Sequence, residues 1–310
     1  MGGGLPFLPG MRSLVSWAPI LLVSACGGSV STAVPSPLIL PDSVVVLEAG
    51  SGTSLGTAEL LGRLAAADFV LLGELHDNAI HHQTRGALIT ASASRRPAIV
   101  FEQFAAAAGP IAPPAAGQSR EAWLDANGFD RTGWKWPLHA PVVEAALASG
   151  RSIWGSGVSR EALRSVVREG PGGAPADLRR LMEQSPLDEV ARAAIDSELV
   201  VGHCGQLPET MIPGMRTAQE VRDASMTRAL LSASATGPAW LIAGNGHVRA
   251  DVAVPRLLRN AAPGRKVLVV GLLEREANGA LPGQAERQGY DLVIVTPPAV
   301  RTDPCASLRR

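Results

Sequence analysis

Tyrosine occurs once in the 310 residues, at position 290, and aromatic residues make up only 4% of the chain. Platforms that stack bases or sugars are built from such rings, so neither class of ligand is expected. Net charge is also missing, since 28 Lys plus Arg balance 28 Asp plus Glu. No overall field therefore favours nucleic acid or an acidic surface. Cysteine is limited to three residues, too few for a disulfide scaffold. The chain has no Walker loop, no Gly-x-Ser-x-Gly elbow and no His-Glu-x-x-His pattern. The motif grounds for a P-loop nucleotidase, a serine hydrolase or a zincin are thus absent. The Gly170 to Gly173 stretch carries no phosphate motif and reads as loop.

Hydrophobic residues make up 46% and charged residues 18%, which places the chain among globular proteins. Its length suits one large domain, or one domain carrying a smaller insert.

The N-terminal stretch reads as an address. Arg12 precedes an apolar run from Val15 to Val23, interrupted by Ser16 and Pro19. That run is too short to span a bilayer permanently and matches a secretory signal. It leads into Val23-Ser24-Ala25-Cys26-Gly27, small residues ending in a cysteine, which is similar to a lipobox. Residues 1–26 are therefore expected to be a lipoprotein signal ending at an acylated Cys26, with 27–41 a Ser- and Pro-rich tether. The expected location is the cell envelope, lipid-anchored, at the outer membrane. Cys204 and Cys305 remain, and their spacing leaves open whether they pair.

From 42 to 300, short β-branched runs alternate with helical patterns. Strands are expected at Val44–Leu47, Phe69–Leu72, Ala98–Glu102, Ser152–Trp154, Trp240–Ala243, Val267–Gly271 and Leu292–Val295. Most are apolar without alternation, as in a sheet covered on both faces. Thr57–Ala67, Asn78–Ser94 and Met215–Ser232 read as helices. The fold class is α/β, a mostly parallel β-sheet flanked by helices. From about 121 to 199, Pro141–Ala148, Arg160–Arg168, Asp177–Glu183 and Asp188–Leu199 read as short helices, implying a small inserted helical domain. Residues 301–310 form a tail.

In parallel sheets, ligands bind beyond the carboxyl ends of the strands. Phe69–Leu72 runs into Gly73-Glu74-Leu75-His76-Asp77-Asn78. Ala98–Glu102 ends on Glu102, and Trp240–Ala243 runs into Gly244-Asn245-Gly246-His247. Two Gly-x-x-His turns and two carboxylates should meet at one edge as a shared pocket. Each also has a structural reading: Glu74 or Asp77 as a helix cap, Glu102 paired with a buried Arg, His247 holding a turn. His203 sits in a polar turn before a long helix, on which Gln219, Arg222, Asp223 and Met226 share one face. The expected pocket thus comprises Glu74, His76, Asp77, Glu102, His203, Gln219, Arg222, Asp223 and His247.

The blocks LLGELHDNAIHHQ, VFEQF, HCGQLP with MRTAQEVRDASMTRALL, and GNGHVRADVAVPRLL together resemble the ChaN family of haem-binding, iron-regulated lipoproteins, within the wider Tiki/TraB superfamily. The resemblance runs from about Phe69 to Leu258. It implies a parallel sheet flanked by helices with a small helical domain, and haem bound at a homodimer interface for iron uptake. It also implies a haem-uptake receptor as partner. The superfamily includes metal-dependent proteases built on paired Gly-x-x-His turns and a glutamate. The alternative it implies is a hydrolase holding a divalent metal on Glu74, His76, Glu102 and His247. The resemblance does not settle the iron ligand; Tyr290, His81, His82, His203 and Met226 have suitable chemistry.

Overall fold

The computed structural model describes Met1 and residues 38–92, 96–303, 305 and 306. Cys26, the expected signal and the tether up to 37 lie outside them. So do residues 93–95, where the second expected helix was to end.

The chain from 45 onward builds β1 (Val45–Glu48), α1 (Thr57–Ala66), β2 (Phe69–Leu72), α2 (Ala79–Ala91) and β3 (Ala98–Ala105). Next come α3 (Arg120–Ala126), α4 (Ala140–Ala148), β4 (Ile153–Gly157), α5 (Arg160–Glu169), α6 (Ala176–Gln184) and α7 (Glu189–Gly202). The last part holds α8 (Ile212–Ala233), β5 (Ala239–Ile242), α9 (Asn245–Val248), α10 (Val254–Ala261), β6 (Val267–Glu274), α11 (Gln284–Arg287) and β7 (Leu292–Thr296). Side-chain caps start several helices: Ser159 accepts from the Ala162 N–H at 3.2 Å and Asp188 from the Ala191 N–H at 2.7 Å.

The seven strands run in the order β1-β7-β6-β2-β5-β3-β4. All neighbours are parallel except β1 and β7, so the sheet is mostly parallel, as the continuous apolar runs implied. Every residue of β2 and β5 is buried, because both sheet faces are covered. Val70 and Leu72 point to the layer containing Leu60, Leu64, Leu88, Trp123 and Val142, from α1 to α4. Phe69 and Leu71 point to the layer containing Met226, Leu230, Val254 and Leu258, from α8 and α10.

The 121–199 stretch is expected to be an inserted helical domain. Its helices go to different places. Helix α4 packs on α2, whereas α5, α6 and α7 gather around α8. Between them β4 pairs with β3 and extends the sheet. Helix α8 lies between sheet and helices, which is why both of its sides are apolar. Met226, Ala229 and Leu230 meet the strands, while Ala218, Val221 and Ala224 meet Leu163, Val166, Leu178 and Met182. The described residues of the tail are tied to the domain. Arg301 bonds Asp77 and Glu274, and Cys305 forms a disulfide with Cys204 at the end of α7, with Cα atoms 5.6 Å apart.

Strands β2 and β5 are neighbours, yet α2 and α10, each leading on from one of them, lie on opposite faces. A divergence of this kind opens a crevice at the carboxyl ends of the two strands. Both Gly-x-x-His turns sit there.

Candidate functional site

The two turns interlock, and their glycines make this possible. A β-carbon on Gly73 would stand 2.1 Å from Asn245 Oδ1, and one on Gly244 would stand 2.9 Å from His76 Nε2. Asn245 then acts as a short extra rung of the sheet. Its Nδ2 donates to the Leu272 carbonyl at 2.7 Å, its Oδ1 accepts from the Leu272 N–H at 3.2 Å, and its backbone N–H donates to the Glu74 carbonyl at 2.9 Å.

Glu74 is buried and heavily contacted. Oε1 accepts from His76 Nδ1 at 2.8 Å and from Gln103 Nε2 at 3.3 Å, with His139 Nε2 at 3.4 Å. Oε2 pairs with the fully buried Arg85 guanidinium. Burial pushes Arg85 down to about 9, against the pull of Glu102, so it stays charged at neutral pH. Arg85 Nη2 also lies 2.9 Å from His82 Nδ1, so His82 accepts there and its Nε2–H donates to the His76 carbonyl at 3.1 Å. His81 does the same one residue earlier: Nδ1 accepts from the Leu75 N–H at 2.9 Å, and Nε2–H donates to Thr296 Oγ1 at 3.0 Å. Burial pushes both imidazoles down to about 4, which keeps them neutral and suited to these roles. His81 and His82 therefore clamp the backbone of the first turn. The cap of α2 is Asn78, whose Oδ1 accepts from the Ile80 N–H, while Asp77 faces outward to Arg301.

The second turn delivers His247. Its Nδ1 meets Asp223 Oδ1 at 2.6 Å, and its Nε2 faces Glu102 Oε1 at 3.6 Å. Glu102 Oε2 also accepts from the Gly244 N–H at 2.9 Å. Burial opposes charge on all three groups. For His247 the two carboxylates outweigh it and hold the imidazolium above its ordinary range. Burial pushes the Glu102 carboxyl up, but His247, His76 and Arg222 outweigh it and hold the group low. For Asp223, burial prevails and raises it.

A cavity of about 870 Å³ opens over this edge. His76, Glu102, His247, Gln219, Arg222 and Met226 line it, so the face predicted on α8 does reach the sheet edge. Glu74 and Asp223 sit directly behind, each bonded to a lining imidazole. Asp77, His203, His81, His82 and Tyr290 do not line it. His203 bonds the Leu199 carbonyl at the end of α7. Tyr290 is packed against Gly271 near the start of β7, where burial pushes its phenol up. Sequence reasoning missed Arg85, Gln103, His139 and Trp134. Arg85 is three residues past His82 on a helix already in view. Its charge on a sheet-facing helix was the available signal for an internal partner.

Within the quartet Glu74, His76, Glu102 and His247, His76 Nδ1 meets Glu74 at 2.8 Å and His247 Nε2 faces Glu102 at 3.6 Å, while the charge of His76 also reaches Glu102. Among the described residues, the group whose metal-competent atoms all lie within 4.8 Å of one another is Glu74, His76 and His139. Arg85 on the same carboxylate opposes a divalent cation at that point.

No curated protein matches the chain significantly. Among solved structures, ChaN of Campylobacter jejuni, described with cofacial haem binding, superposes with a TM-score of 0.65 at 18% identity. The match covers 83% of this chain and 98% of that one, and it shows the same fold. A Bacillus cereus protein aligns at 12% identity and a TM-score of 0.37, covering 77% of this chain and 90% of its own. A sequence profile described as haem-binding uptake, Tiki superfamily, ChaN matches residues 60–258, a span that takes in both interlocked turns, α8 and the edge of the cavity. The chain is a member of the ChaN family of the Tiki superfamily.

Proposed function

We propose that the chain binds haem in the cavity at the carboxyl edge of β2, β3 and β5. The observation that carries this reading is the make-up of the cavity wall. Trp134, Val158 and Pro175 offer apolar surface, with Phe104, Leu163, Leu178 and Met226 buried behind it, and Arg222 offers a cation. Arg222 donates to neutral Gln219 Oε1 at 2.6 Å and, among the described residues, makes no ion pair with a carboxylate, although its charge reaches Glu102. Haem is a flat apolar ring with two carboxylates, and about 870 Å³ falls within the usual range for small-ligand sites. Family membership and the Campylobacter jejuni neighbour support the same ligand.

On this reading the protein handles haem for iron uptake at the cell envelope, as a homodimer, with a haem-uptake receptor as partner. The residues Val23-Ser24-Ala25-Cys26 support an outer-membrane lipid anchor. Hemin titration of purified protein should give a saturable Soret shift at micromolar concentration. A featureless, linear response would end the haem reading. Membrane-fraction mass spectrometry should find an acylated Cys26, and Cys26→Ala should release the protein.

A further inference from the structure

We propose that Cys204 and Cys305 form a reversible thiol–disulfide exchange site, and that their reduction by an external dithiol frees the carboxyl-terminal tail and loosens α7. The proposal is independent of the haem reading.

Both partners of this disulfide belong to parts of the chain outside the two apolar layers that cover the sheet. Helix α7 buries Ala191, Ile195 and Leu199, which pack in a small cluster of their own with Leu187, Val252 and Ala253. Val190 and Val201 on the same helix face solvent. The tail beyond β7 has no helix or strand among the described residues. Segments with so little buried apolar surface open locally while the sheet stays folded.

What holds them is a chain of links. Glu274 at the end of β6 accepts from the Ala299 N–H at 2.8 Å and from Arg301 at 2.6 Å, and Arg301 also meets Asp77 at 2.8 Å. Further along the tail, Cys305 is bonded to Cys204 in the turn that ends α7. Helix α7 in turn reaches the second Gly-x-x-His turn, where Glu198 pairs with Arg249. The tail is thus a strap from Asp77, beside His76, to α7, and the disulfide closes it.

The sulfurs are placed for exchange. Both cysteines are partly exposed, and Cys204 stands among exposed His203, Gly205 and Gln206. Exposed disulfides are the labile ones, because an incoming thiolate can reach a sulfur. Cys204 also has a left-handed backbone, with φ 59°, which a residue with a β-carbon keeps only where its surroundings impose it. One thiolate of the dithiol attacks a sulfur, forming a mixed disulfide and expelling the other cysteine as a thiolate. The dithiol's second thiolate then attacks its own bonded sulfur and releases the first cysteine. Two electrons and two protons pass to the pair, and the dithiol leaves as its disulfide.

The test adds dithiothreitol, without denaturant, to the full-length, air-oxidised protein. Differential alkylation with peptide mass spectrometry should find Cys204 and Cys305 joined before treatment and both alkylated after it. Hydrogen exchange in Glu189–Gly202 and in residues 299–303 should then quicken by on the order of tenfold, with β2 and β5 unchanged. Reoxidation in air should restore the slow rates. Cys204→Ser and Cys305→Ser should each show the fast rates with or without reductant, and protected β2 and β5 establish that both variants are folded. Free thiols at both positions in the oxidised protein would overturn the proposal, as would a disulfide that resists dithiothreitol until the protein is unfolded. Exchange in α7 and the tail that ignores reduction would overturn it too, since the bridge would then hold nothing. So would reduction of wild type that also strips protection from β2 and β5, because the bridge would then be a staple of the whole fold.

Discussion

Gly244 lies so close to the imidazole of His76 that a β-carbon at 244 would stand 2.9 Å from Nε2 and 3.0 Å from Cε1. The two residues belong to turns that follow different strands, and each turn's glycine makes room for a side chain of the other. Gly244→Ala must push the ring aside or displace its own turn. The expected cost is about 1–3 kcal/mol, the usual range for overpacking, together with weaker hemin binding. Thermal melts and hemin titrations of Gly244→Ala beside wild type check this. Unchanged values in both would show that the imidazole has room to move.

Glu74 and Arg85 form a fully buried ion pair. Removing one partner strands the other charge away from water. Glu74→Ala is expected to lower unfolding free energy by about 3–5 kcal/mol. The double variant Glu74→Ala, Arg85→Met should regain part of that loss, because no unpaired charge remains. Urea unfolding of the three proteins decides it. A double variant no better than Glu74→Ala would mean that hydrogen bonds to Glu74, not charge pairing, hold this region.

His247 titrates above its ordinary value when folded. A group whose pKa rises on folding stabilises most fully below its unfolded pKa, about 6.5 for His. It gives that stability up as pH rises through the folded value. His247→Gln should therefore lose most stability relative to wild type near pH 6, and the gap should narrow toward pH 9. Melting temperatures across that window test the sign. A gap that widens with pH would contradict an imidazolium between Asp223 and Glu102.

Arg222 is the cation of the cavity that makes no ion pair with a carboxylate among the described residues. If it meets a haem carboxylate, Arg222→Ala should weaken hemin binding by about tenfold, the scale of one charge-assisted hydrogen bond. Its affinity should also depend less on salt than that of wild type. Titrations at low and high ionic strength give both numbers. Equal affinity in the two proteins would move the carboxylate contact elsewhere.

Much of this could be read along the chain, because the relevant signals are local. An apolar run without alternation marks a strand covered on both faces, and Phe69–Leu72, Leu292–Val295 and their like proved to be strands of one mostly parallel sheet. The Gly-x-x-His turns at two strand ends announced a meeting point. The spacing of Gln219, Arg222, Asp223 and Met226 placed one face of α8 toward it. Each of these inferences uses residues within about two helical turns of one another.

What tertiary structure alone decided is which distant groups share that meeting point, and in what state. Strand order puts β5 beside β2 although some 170 residues separate them in the chain, and this brings Gly244 against His76. His139, from the start of α4, carries no periodic signal, yet the packing of α4 on α2 brings it to Glu74. Cys204 and Cys305 are 101 residues apart, and only the return of the tail to α7 joins them. The histidines make the point most sharply. His76, His81 and His82 lie within one short stretch and have the same chemistry. Burial makes the last two neutral clamps on the turn, whereas His76 stays half-exposed on the cavity wall. The sequence by itself determined the strands, their terminal turns and the imidazoles available. Burial and charge pairing depend on every neighbour in space, so the role of each imidazole was decided only when the sheet closed around it.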